Sequence, residues 1–78
     1  MSDASIVNFK ETFSARLKSL RIALGWSKKE LSEHSGVSCM SVHYMESGRN
    51  LPSIISALKL SKCFNLTVED LFGEINED

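Results

Sequence analysis

Three times in this chain a hydroxyl residue is bracketed by two apolar residues five positions apart, and no other feature limits the fold as much. The instances are Trp26-Ser27 with Leu31, Val37-Ser38 with Val42, and Leu66-Thr67 with Leu71. In each, the hydroxyl can accept from a backbone N–H of a helix's first turn, and the apolar pair can close over the cap as a staple. Ser27-Lys28-Lys29-Glu30 also spells a capping box, in which the Glu30 carboxylate reaches back to the cap. A strand makes no use of such devices, so helices are expected to begin near residues 28, 39 and 68.

Two further helices follow from spacing. Phe9, Phe13, Leu17, Leu20 and Leu24 recur at intervals of four and three, which lays them on one helical face ahead of a stop at Gly25. Pro52-Ser53 precedes a segment in which Ile54, Ala57, Leu58, Ser61 and Phe64 are expected to share the buried face. The second helix should end at Gly36, the third at Gly48 and the fifth near Gly73. No stretch alternates with the period of a strand. The expected fold is all-α: five compact helices in one domain over residues 1–78, with a core of about 9–73, a frayed N-terminus and an acidic tail from Glu74 to Asp78.

The two short helices are the informative part. Lys28 to Ser35, the glycine-containing turn Gly36-Val37-Ser38, and Cys39 to Ser47 read as helix, tight turn, helix. Ser32 is small enough to let the two approach. On a helical wheel Val42 and Met45 point one way, toward a core. Cys39, Met40, His43, Tyr44 and Ser47 form a stripe pointing the other way, as a helix lying in a DNA major groove requires. The net charge of −1 does not announce a partner for nucleic acid, but its distribution leans that way: residues 1–50 carry +2 and residues 51–78 carry −3.

Arg16 to Phe72 resembles the Cro and phage-repressor family of helix-turn-helix regulators, also called Xre-like. The resemblance rests on Arg16-Leu-Lys-Ser-Leu-Arg21, Gly25-Trp-Ser-Lys-Lys-Glu-Leu31, Gly36-Val-Ser38, Val42, Met45-Glu46-Ser-Gly48, Pro52-Ser53, Leu58-Lys-Leu60 and Val68-Glu-Asp-Leu-Phe72 in register. It implies a sequence-specific transcriptional regulator, a repressor or controller, that binds a pseudo-palindromic DNA operator as a homodimer through its C-terminal helices. By the same resemblance, Ser38, Cys39, Met40, His43 and Tyr44 read bases. Ser27, Lys28, Ser47, Arg49 and Asn50 contact phosphates, and Arg21 and Glu46 form a structural ion pair. Lys28 stands where the family often has glutamine, and Cys39 and Met40 stand where polar or basic residues are usual. Those two can pack on thymine methyl groups but cannot bond guanine or adenine in a bidentate way.

Several residues carry a second reading. Tyr44 also suits a packing position at the helix edge, and His43 a solvated surface one. Cys39, at a helix start, is a conceivable redox site, whereas Cys63 reads as a small core residue. His34 and His43 lack further ligands for zinc, so no metal is expected, and no cofactor or small-molecule ligand is evident. Ile55 and Ile75 fall off the apolar faces and point to self-association. The alternative function is a protein-interaction module, such as an antitoxin or a regulator's partner, that keeps the fold and binds protein through its third helix. No catalytic constellation is visible, so no enzyme is expected. Neither a signal peptide nor a membrane span is expected, and the two isolated cysteines suit a reducing bacterial or phage-host cytoplasm.

Overall fold

A computed structural model describes residues 3–73, with side chains from Phe9 onward. Among the described residues there are five helices and no strand: α1 (Asp3–Ala23), α2 (Lys28–Ser35), α3 (Cys39–Glu46), α4 (Ile54–Phe64) and α5 (Val68–Phe72). The tail from Glu74, with Ile75, lies outside the described residues.

The local signals act as their chemistry dictates. Ser27, Ser38, Ser53 and Thr67 each hold an extended backbone and accept from the N–H three residues on, at Glu30, Ser41, Ser56 and Asp70. Gly36 ends α2 in the left-handed region, at φ 82°, where a side chain would be strained, and its N–H returns to the Ser32 carbonyl. This closes the turn into α3 within three residues.

The core lies between the five helices, each of which contributes to it. Phe13 and Leu17 from α1, Leu31 from α2, Val42 and Met45 from α3, Leu60 from α4 and Leu71 from α5 are fully or almost fully buried. Phe72 stacks on Phe9 and packs against Phe13, with centroids at 5.7 and 4.9 Å, and so fastens the last helix to the first. Arg16 strengthens the same junction. Its guanidinium donates to the Asp70 and Leu71 carbonyls at the C-terminal end of α5, where a cation also meets the negative end of the helix dipole.

Two expectations from spacing need correction. Leu24 is not part of the α1 face: the helix ends at Ala23, and Leu24 is half exposed in the turn that follows. In α4 the inward face consists of Ala57, Leu60 and Ser61 with Phe64 at its edge, while Ile54 is 81% exposed and Leu58 also faces outward. The helix turns Leu60 inward and Leu58 outward, and Leu60 joins Leu31 and the partly buried Trp26 in the core cluster. Trp26 stacks near Phe64 at 6.3 Å, and the apolar residues on the other flank are left without a cover. The third helix also stops one residue early, at Glu46, with Ser47 as its cap.

Cys63 packs against the core, and burial pushes its thiol pKa up, which keeps it protonated.

Candidate nucleic-acid interface

The surface in question is built on α3, which has a buried side and an open side. Val42, Met45 and Glu46 are inside; Cys39, Met40 and His43 are exposed, Met40 by 61%; Tyr44 is half-buried. Ser38, at the start, is occupied by capping. Its hydroxyl accepts from the Ser41 N–H at 3.1 Å and donates to the Ser41 hydroxyl at 2.9 Å.

What aims α3 is the pair formed by Arg21 and Glu46. The guanidinium donates to both carboxylate oxygens, Nε to Oε2 at 2.7 Å and Nη2 to Oε1 at 2.9 Å, while its Nη1 donates to the Trp26 carbonyl at 2.8 Å. The Ser14 hydroxyl also donates to the Glu46 backbone carbonyl. A residue at the end of α3 is thereby tied to α1 at two points and, through Trp26, to the turn that launches α2. The Arg21 pKa is raised, chiefly by its hydrogen bond to Glu46 and against a smaller penalty from burial. The Ser14 and Trp26 contacts escaped sequence reasoning, because they join residues far apart in the chain or use a backbone group.

The flanks of α3 carry the donors. On one side the start of α2 presents Ser27 and Lys28. The Ser27 hydroxyl accepts from the Glu30 N–H, which leaves its own proton free to donate, and the first amides of α2 have no partner within the helix. Lys28 Nζ lies 3.3 Å from His43 Nδ1, across the gap between the two helices. On the other side the chain reverses through Gly48, at φ 79°. There the Tyr44 carbonyl accepts from the backbone N–H of Arg49 at 3.0 Å and of Asn50 at 3.4 Å, and from the Ser47 hydroxyl at 3.0 Å. That one oxygen gathers the loop against α3 and places the Arg49 guanidinium 5.6 Å above the Tyr44 ring. His43 and Tyr44 meet with centroids 5.8 Å apart. Lys28, His43, Tyr44 and Arg49 therefore form a continuous row with a cation at each end.

Glu30 was legible in the sequence as a cap, but its electrostatic consequence was not. Its carboxylate accepts from the Ser27 N–H at 2.8 Å and so takes one of the donors at the start of α2. That backbone bond, followed by the Ser27 hydroxyl, holds its pKa below the ordinary glutamate range. Because the folded pKa is depressed, the contribution of the cap to stability is present above the unfolded value and is lost as pH falls through the folded one. A carbon-detected NMR titration should find the Glu30 midpoint below the ordinary glutamate range. Glu30→Gln should keep the cap while removing this part of the acid dependence, and a Glu30 midpoint within that range would contradict the box.

Among the described residues no three His, Cys, Asp or Glu side chains are placed to share a metal ion, and no helix is long and apolar enough to cross a membrane.

A helix-turn-helix family model matches residues 17–71. Two curated relatives are helix-turn-helix-type transcriptional regulators. YgzD of Bacillus subtilis is 39% identical over 57 residues, covering 73% of this chain and 86% of that protein, and a regulator of Archaeoglobus fulgidus is 33% identical over the same length, covering 73% and 81%. The restriction-modification controller protein C.AhdI of Aeromonas hydrophila superposes with a TM-score of 0.73 at 31% identity, over 80% of this chain and 94% of that one. A regulator of the same family from Vibrio cholerae superposes with a TM-score of 0.75 at 27% identity, over 85% of this chain but 36% of its own length. The chain belongs to the helix-turn-helix family of DNA-binding transcriptional regulators. In the terms of its own architecture, α2 and α3 are the helix-turn-helix.

Proposed function

We propose that this regulator binds a pseudo-palindromic operator as a homodimer, with α3 of each copy in the major groove, and that it acts by occupying that DNA as a repressor or controller. The observation that carries the reading is the row across α3, with Cys39, Met40 and His43 exposed and the half-buried Tyr44 beside them, between Lys28 and Arg49. Cys39, Met40, His43 and Tyr44, with the Ser38 cap at their start, meet base edges. Ser27, Lys28, Ser47, Arg49 and Asn50 meet phosphates on the two flanks. The likeness to a restriction-modification controller supports a regulator of this kind.

The test is binding to operator fragments across a salt series. Affinity should fall steeply with salt, and Lys28→Ala and Arg49→Ala should each reduce the slope by about one. Each should weaken binding by roughly 10–100-fold, the scale of a hydrogen bond to a charged group. Unchanged slopes in both variants would sink the docking.

The dimer reading is supported by the residues that α4 leaves uncovered. Ile54, Ile55 and Leu58 are exposed, and Ile54 and Leu58 line an apolar groove of about 160 Å³ together with Pro52, Ala57, Val68 and Phe72. Binding two half-sites requires the dimer to hold its two copies of α3 about 34 Å apart, one turn of DNA. Leu58→Glu should give a monomer by sedimentation with its melting temperature little changed. It should lose cooperative binding to a two-half-site operator. A dimer that survives this change must use another face.

A second reading, in which α3 binds a protein, draws on the exposed apolar pair Cys39 and Met40 and on the net charge of −1. Retention of a protein partner, with no enrichment of DNA sequence, would favour it.

A further inference from the structure

The contact between Lys28 and His43 bears on the hydrogen-bonding sense of the face proposed to meet DNA. Lys28 is the first residue of α2, His43 lies on the outer side of α3, and fifteen positions separate them in sequence. Lys28 is half-buried, although lysine is seldom held down on an exposed helix start, and its Nζ reaches the ring at 3.3 Å. On the other side the ring meets Tyr44 at a tilt of 48°. The imidazole is thus bracketed, and its Nδ1 edge is the one turned to the ammonium.

An ammonium has donors and no acceptor. It can pair with Nδ1 only if that nitrogen offers a lone pair, which places the proton of the neutral ring on Nε2. We propose that Lys28 is a specificity-positioning residue: by donating to Nδ1 it holds His43 in the Nε2–H form, so that α3 offers base edges a donor and not an acceptor at this place. The proposal rests on the reading of α3 as the groove-facing helix.

The chemistry then selects bases by class. In the major groove guanine presents N7 and O6, adenine N7 and thymine O4 as acceptors, whereas cytosine presents only its amino donor. A ring fixed as a donor can pair with guanine, adenine or thymine and is mismatched to cytosine. A ring free to change tautomer would accept from cytosine as readily as it donates to guanine. Lys28 keeps two further N–H donors after pairing with His43, so the same side chain can still meet a phosphate. One lysine therefore links the position of the backbone to the reading of a base.

The experiment has two arms, both on the full chain. Long-range nitrogen–proton NMR, at a pH above the ordinary histidine range, should show His43 predominantly as Nε2–H in the wild type with a clear Nδ1–H population in Lys28→Met. Selection from a randomised duplex library, with wild type, Lys28→Met, Lys29→Met and His43→Ala, supplies the second readout. The base pair whose preference vanishes in His43→Ala should be the one whose discrimination against cytosine falls roughly tenfold in Lys28→Met, the scale of one mismatched position. Lys29→Met should leave that preference intact. If Lys28→Met weakens all sequences evenly and keeps the preference, the positioning role is wrong while groove reading by α3 stands. If the wild type selects no sequence, groove reading itself fails and the specificity claim falls with it. An unchanged tautomer in Lys28→Met overturns the mechanism whatever the library shows.

Discussion

Arg21→Ala is expected to lower the stability of the domain by about 3–5 kcal/mol, the cost of stranding a buried charge. The reason lies with its partner. The Glu46 side chain is 1% exposed, and Arg21, at 12%, is the cation that compensates its carboxylate. Without Arg21 the carboxylate must stay charged without a counter-ion or take up a proton, and the Trp26 carbonyl loses a donor as well. A chain of this length has a total stability of roughly 4–12 kcal/mol, so the loss is a large share of it. The melting temperature should drop on the order of 15 °C or more by circular dichroism. The double variant Arg21→Met with Glu46→Met should recover most of the loss, because a pair of apolar residues of similar volume needs no counter-charge. A single variant that melts within a few degrees of the wild type would mean the pair is hydrated in solution.

Met40→Glu is expected to do the reverse: leave the fold intact and abolish function. Met40 is exposed on the second residue of α3, so no core contact is lost, and an acidic residue in the first turn suits the helix dipole. The melting temperature should be unchanged or slightly raised. Inside a groove lined by phosphates the same carboxylate is a like charge without a partner, which costs several kcal/mol. Operator affinity, followed by fluorescence anisotropy, should fall at least about 100-fold. Met40→Ala should change affinity far less, since it removes only an apolar contact. Equal effects of the two variants would place Met40 outside the interface.

The contrast between these two residues also explains what the sequence could disclose. The caps at Ser27, Ser38 and Thr67 were legible because each is a bond between neighbours in the chain, decided by residue type and spacing. The inward turn of Val42 and Met45 was legible because a helix eight residues long has one apolar side to hide. The face of α4 was not, because Leu58 and Leu60 are equally apolar and tertiary packing, not residue type, decides between them. Leu24 fits the spacing of α1 but falls beyond the point where the turn at Gly25 has already begun. The meeting of Lys28 with His43 depends on the angle between two helices, and no local pattern encodes it. The Arg21–Glu46 contact is of the same long-range kind, and the sequence offered it only through resemblance to a family.

The grip on α3 comes almost entirely from behind and from its two ends: the Ser38 cap, Val42 and Met45, the Glu46 tether and the Tyr44 carbonyl. The outward side chains of Cys39, Met40 and His43 take little part in holding the helix in place. Those positions can therefore be exchanged with small thermodynamic penalty; under the proposed docking, a few substitutions there would give a lineage carrying this chain a new genomic address while its scaffold is left untouched.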